Sequence, residues 1–184
     1  MTAPLEPTTH LRKVELVPPD PNWAAAYARA AQEWRYIFGA NVMDMQHVGS
    51  TSIPGIKAKP VIDVLIEVQD LNAVDASNEA MQQIGYMPRG EYGVAGRRFF
   101  TKDNAGQRTH NVHSFQTGNP EIEAMLMFRD YLRSHPAAAQ AYETLKLELA
   151  QKFPMNVNAY AAAKSEFVAR ILTARRVELA KVSK

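Results

Sequence analysis

The sequence predicts an α/β (α+β) domain, a mixed sheet flanked by helices with a purely helical C-terminal part. Three observations carry this expectation. Val61-Ile62-Asp63-Val64-Leu65-Ile66-Glu67-Val68 is a nearly unbroken β-branched run, the pattern of a strand buried on both faces. Residues 97–102 and 108–116 read as two more strands, joined by the turn-forming Asp103-Asn104-Ala105-Gly106-Gln107, which predicts a hairpin. After Asn119-Pro120 only helical spacing remains, over about 121–133, 137–152 and 157–178, with breaks at Ser134-His135-Pro136 and at Pro154.

The rest of the chain fits around these elements. Residues 1–10 read as a flexible arm, leaving 11–180 as one domain with an α/β half (11–118) and a helical half (119–180). Val14 to Val17 alternate like a short edge strand until Pro18-Pro19-Asp20-Pro21 breaks the pattern. Ala26, Tyr27, Ala30, Trp34 and Ile37 recur at helical spacing over 23–38, and Gly39 ends that helix. Residues 43–48 alternate as a strand, and 71–84 read as a helix stopped by Gly85.

Composition excludes several functions. The 184 residues include no cysteine, so disulfides, thiolate zinc sites and a cysteine nucleophile are ruled out. The formal net charge is +2, so attraction to nucleic acid or an anionic membrane would need a local patch. No run of about 18 apolar residues occurs, so no membrane span is expected, and a cytoplasmic location is the expectation. No feature demands homodimerisation.

The chemistry concentrates in His47-Val48-Gly49-Ser50-Thr51-Ser52 and the strand that follows. Gly49 allows a tight turn and close approach to a ligand. Ser50, Thr51 and Ser52 set hydroxyls beside backbone amides, a combination that holds phosphate oxygens, and Lys57 and Lys59 supply positive charge. Asp63 is costly inside so apolar a strand unless it is paired or binds a metal, so it is the candidate for Mg²⁺ against those phosphates. The plainer alternative is a capped turn followed by a core strand with one satisfied Asp.

Alternation along 108–116 puts Arg108, His110, Val112 and Ser114 on one face and Thr109, Asn111, His113 and Phe115 on the other. The two histidines diverge, which argues against a zinc pair. His113, beside polar Asn111, is favoured to reach Asp63 and assist as proton shuttle or phosphate donor. Arg129 and Arg133 are four apart on a helix and could clamp a phosphate, with salt bridging to nearby acids as the alternative. Lys146 and Lys164 carry the same ambiguity.

At these residues the chain resembles the GrpB family. The likeness runs through His47-Val-Gly-Ser-Thr-Ser-Ile-Pro-Gly-Ile56 and Lys59-Pro-Val-Ile-Asp63-Val-Leu65. It continues in Arg108-Thr-His110-Asn-Val-His113, in Phe128-Arg129-Asp130-Tyr131-Leu132-Arg133, and in the pairs Tyr142/Lys146 and Tyr160/Lys164, covering about residues 12–175. The resemblance implies a nucleotidyltransferase-like fold and, because some members are fused to dephospho-coenzyme A kinase, a connection to nucleotide or coenzyme metabolism. That wider superfamily has a Gly-Ser turn, two strand carboxylates two residues apart, and a third on a later strand. Gly49, Ser50 and Asp63 match; the second carboxylate falls at Leu65, and the 97–116 hairpin offers no clear third. Glu67 shares the Asp63 face and completes the metal candidates, but lies about 13 Å along the strand.

Three functions therefore compete. One is Mg²⁺-dependent transfer of a nucleotidyl or phosphoryl group to a small acceptor. Another is non-catalytic binding of a nucleotide, coenzyme or other phosphate-bearing metabolite, which accounts for Leu65. The third is a partner-binding protein working through its helical half.

Overall fold

A computed structural model describes residues 12–182; the expected arm at 1–10 lies outside them. Helix α1 (Asn22–Phe38) opens where the Asp20 carboxylate accepts the Asn22 amide at 2.8 Å. It turns Trp23, Ala30, Trp34 and Phe38 inward and stops at Gly39, whose φ is +53°. Strand β1 (Val42–Val48) leads into a single 3-10 turn at Ser50–Ser52, and β2 (Ile62–Val68) follows. The segment expected as one helix over 71–84 is two short ones, α2 (Leu71–Ala76) and α3 (Asn78–Gln83). They break at Ser77, whose hydroxyl bonds back to the Ala73 carbonyl at 2.9 Å.

Beyond α3 come the two-residue β3 (Met87–Pro88), which alternation did not reveal, and the hairpin β4 (Arg97–Asn104) and β5 (Gln107–Gln116). The helical part holds α4 (Pro120–Ser134), α5 (Pro136–Lys152), α6 (Val157–Ala162) and α7 (Ser165–Val182). Asn119 caps α4 by accepting the Glu121 amide, with Pro120 in the first turn. The expected single helix from 157 is thus divided near Lys164. The expected strand at 14–17 reduces to one antiparallel bridge, Val17 with Ala58.

The sheet order is β1-β2-β5-β4-β3, with β2 and β5 parallel and the other pairs antiparallel. It is the mixed sheet flanked by helices that the sequence predicts. One face is dry: Ile62, Val64, Ile66, Val68, Phe100 and Val112 pack with Trp34, Phe38 and Tyr86 into the main core. The other face lies under the C-terminal helices, where Leu65, Phe115 and Val48 meet Ile122 of α4. Edge strand β1 carries a bulge at Met43, a device that disfavours pairing with another edge. Among the described residues no helix is long and apolar enough to cross a membrane.

Candidate functional site

The site lies at the N-terminal end of β2, on the face below the helical half. Gly49 has φ +70° and ψ −174°, a conformation essentially reserved for glycine. A Cβ there would sit 2.4 Å from Asp63 Oδ2 and 2.8 Å from Asp63 Cβ. Glycine is thus required twice, by the backbone and by the carboxylate it abuts. The turn that follows is closed by its own side chains. Ser52 Oγ donates to the Gly49 carbonyl at 2.7 Å. Thr51 Oγ1 donates to the Val61 carbonyl at 3.1 Å. That hydroxyl has no second proton, so the 3.0 Å contact with His47 Nε2 has the imidazole as donor. His47 also stacks on Tyr27 with centroids 5.1 Å apart. Burial pulls its pKa down to about 4, so it is a neutral support for the turn at physiological pH.

Asp63 remains partly open, with 27% of its side chain exposed. Its Oδ1 accepts a 2.8 Å hydrogen bond from Asn111 Nδ2 and faces His113 Nε2 at 3.9 Å. Burial works to raise the carboxyl pKa, but His113, Asn111 and Lys59 outweigh it and hold the group below its ordinary value. Arg97 Nη1 approaches His113 Nδ1 at 3.3 Å, and a guanidinium only donates. That contact assigns the imidazole proton to Nε2, the nitrogen turned toward Asp63. His110, on the opposite face as alternation predicts, packs against Trp34 and Tyr86 in the dry core. Burial lowers its pKa to about 4.

A cavity of about 350 Å³ opens beside Asp63, lined by Ser50, Lys59, Arg108, Asn111, His113, Tyr160 and Lys164 among others. An adjoining hollow shares Arg12, Lys59, Arg108 and Asn111 with it. Four cations, Arg12, Lys59, Arg108 and Lys164, therefore surround one carboxylate. Lys59 and Lys164 stand over the Tyr160 ring at 5.3 and 4.7 Å from its centroid. Burial, and then repulsion from Lys164, bring the Lys59 pKa down to about 8. Burial also lowers that of Lys164. The Arg12 Nε is buried with no hydrogen-bond partner among the described residues, and burial together with Arg108 lowers its pKa.

Arg108 reaches this cavity against the alternation of its strand. A bulge between Lys102 and Asp103 on β4 and Arg108 and His110 on β5 leaves Thr109 as the extra residue and reverses the phase. Arg108 pairs with Asp103 and donates to Asn111 Oδ1 at 3.0 Å, so Asp103, Arg108, Asn111 and Asp63 form one chain of contacts.

The other sequence candidates lie elsewhere. Lys57 is exposed outside the cavity lining, and its carbonyl accepts from the Lys146 ammonium. Lys146 is 1% exposed, and burial followed by Lys164 lowers its pKa to about 7. Arg129, 8% exposed, binds Asp130, Gln46 Oε1 and the His47 carbonyl, while Arg133 Nε donates to the Ser52 carbonyl at 2.9 Å. Both arginines fasten α4 to the back of the glycine turn and do not line the cavity. Glu67 lies at the far end of β2 in a different hollow.

Sequence reasoning missed Arg12, Tyr92 and Phe99, all in the cavity wall. Arg12 stood at the edge of an expected arm, and Tyr92 lies in a connection without periodicity. Among the described residues no three His, Cys, Asp or Glu side chains are placed to hold a metal. Leu65, where a second carboxylate would fall, is 1% exposed beneath α4. The residues present do not form a metal centre by themselves; Mg²⁺ at Asp63 would take its remaining oxygens from water and a ligand.

A family model for GrpB protein matches residues 13–174. YqkA of Bacillus subtilis is 45% identical over 85% of this chain, which spans only 46% of that protein. The glutamate-rich protein GrpB of Alkalihalophilus pseudofirmus is 34% identical over 87% of this chain and 94% of its own length. The crystal structure of GrpB from Enterococcus faecalis superposes with a TM-score of 0.84 at 36% identity, over 90% of this chain and 99% of that one. With the family pattern spanning nearly all of the sequence and the same fold recurring in a solved member, this chain belongs to the GrpB family.

Proposed function

We propose that the cavity beside Asp63 binds a nucleotide or another phosphate-bearing small molecule, on a nucleotidyltransferase-like arrangement of glycine turn and strand carboxylate. The observation that carries this reading is the ring of four cations, Arg12, Lys59, Arg108 and Lys164, around a single partly open carboxylate. Asp63 offsets one of these charges and Asp103, paired with Arg108, a second, which leaves two uncompensated in a partly desolvated hollow, and phosphate oxygens answer that imbalance. Ser50, which lines the cavity, presents the first amide of the 3-10 turn, which has no partner within the turn. Asp63 and His113 lie where a group attached to the phosphates would project. Mg²⁺ belongs in this reading only as a counter-ion arriving with the phosphates, with Asp63 as the carboxylate that meets it.

Leu65 favours binding without transfer over the two-carboxylate chemistry of the superfamily, because a sealed leucine leaves no place for the second charge. Calorimetry with ATP and GTP, with and without Mg²⁺, tests the proposal. Binding in the micromolar to millimolar range that weakens on Ser50→Ala and falls at least about tenfold on Lys59→Gln is expected. Absence of binding at millimolar nucleotide would refute it. Steady release of pyrophosphate would replace binding by transfer.

A further inference from the structure

The connection from β3 to β4 places an aromatic ring at the mouth of the cavity in a backbone conformation that side chains avoid. Tyr92 has φ +46°, and the nearby left-handed positions 90, 93 and 96, with φ of +61°, +80° and +72°, are all glycine. Position 92 keeps a large side chain where glycine would be free of strain. The backbone there is held by Arg97. Its Nη2 donates to the Tyr92 carbonyl at 2.6 Å and its Nε to the Glu91 carbonyl at 3.0 Å. The Glu91 carboxylate accepts the Gly96 amide at 2.7 Å. Glycine at 92 would offer Arg97 the same carbonyl, so the fold of the turn does not explain the ring.

Tyr92 is 61% exposed, yet it lines the cavity that holds Asp63. It stacks on Phe99 with centroids 5.3 Å apart and planes 26° apart, and Phe99 in turn meets His113 at 4.9 Å. Arg97 stands 4.6 Å over Phe99. Tyr92, Phe99 and His113 thus form an aromatic wall running from the mouth to the carboxylate, with Lys59 and Lys164 among the cations of the same cavity. We infer that Tyr92 is a stacking platform for a planar aromatic group carried by the phosphate ligand, so that the site takes nucleotides in preference to phosphorylated sugars or inorganic polyphosphate. This rests on the phosphate-binding reading and adds the identity of the non-phosphate part.

The experiment compares ATP, ribose 5-phosphate and inorganic tripolyphosphate by calorimetry on wild type, Tyr92→Ala, Tyr92→Phe and Tyr92→Gly. Wild type is expected to bind ATP about tenfold or more tighter than tripolyphosphate, the size of one base stacked on an aromatic ring. Tyr92→Ala and Tyr92→Gly should lose most of that ratio while tripolyphosphate affinity stays within about twofold, and Tyr92→Phe should keep it. Tyr92→Gly relieves the backbone strain, so its loss of the ratio cannot be charged to misfolding. An ATP-to-tripolyphosphate ratio unchanged in both truncations overturns the inference and leaves the phosphate reading standing. Tighter binding of ribose 5-phosphate than of ATP also overturns it. Failure of tripolyphosphate and ATP alike to bind wild type removes both readings.

Discussion

Strand β2 sends two carboxylates to the same face, and they have unlike surroundings. Asp63 abuts a glycine turn, takes a hydrogen bond from Asn111 and looks into a cavity walled by cations. Glu67, four residues on, borders a hollow of about 380 Å³ with Glu123 and Asp130. Arg175, the one cation among the described residues lining that hollow, bonds Glu178 at 3.2 Å. Between them Leu65 is sealed by Val48, Phe115 and Ile122. Sharing a strand face gives residues a common direction, but what packs beside each one decides whether it stands in a binding site. The apolar plug at Leu65 separates two electrostatic environments that alternation alone would join.

Placing a carboxylate at position 65 should break this separation most severely. Leu65→Asp puts a charge at a position 1% exposed and packed among Val48, Phe115 and Ile122, and should cost at least about 4 kcal/mol, against about 2–5 for Leu65→Ala, which leaves only a cavity. Urea unfolding of both variants reads the difference. A stable Leu65→Asp protein with new Mg²⁺-dependent stabilisation would show instead that the two ends can merge into one metal site.

Gly49→Ala should be next, costing about 3 kcal/mol from the forbidden backbone conformation and the overlap with Asp63. Combining it with Asp63→Ala separates the two parts. The double variant should lose the overlap with the carboxylate and keep both the strain and the close approach to the Cβ of residue 63, so a double-mutant cycle reports coupling between the positions. Zero coupling would mean that the turn and the carboxylate are not packed together.

Acid should weaken the fold in two steps. His47, behind the glycine turn, and His110, in the dry core, both have pKa values lowered to about 4 by burial. The unfolded chain takes up these protons near pH 6.5. The stability they lend is present above pH 6.5 and is lost as pH falls toward 4. Asp63, whose folded pKa is below its ordinary 3.8, acts below that window: its share is intact above 3.8 and disappears as pH drops further. Urea midpoints against pH should slope down from 6.5 to 4 in wild type, less so in His110→Phe, while Asp63→Asn should alter only the more acid limb. An unchanged slope in His110→Phe would contradict its burial as a neutral ring.

The smallest effect belongs to the other end of the strand. Glu67→Gln should change stability by no more than about 0.5 kcal/mol and leave ATP affinity untouched. A loss of ATP binding in that variant would erase the distinction between the two ends.

Much of this was legible in the amino-acid order. The β-branched run over β2, the hairpin of β4 and β5, the helical C-terminal part and the joining of Gly49 to Asp63 follow from periodicity, turn residues and one charge in an apolar strand. So does the divergence of His110 and His113, because side-chain direction in a regular strand is a local property. Local order did not reveal that Thr109 would bulge and swing Arg108 into the cavity, or that Arg97 would hold Tyr92 at its mouth. Nor did it show that Arg129 and Arg133 would be taken up by backbone carbonyls and side chains behind the turn. Those outcomes depend on which groups from distant parts of the chain compete for the same hydrogen bonds and the same space. That competition begins only when the helical half closes over the sheet.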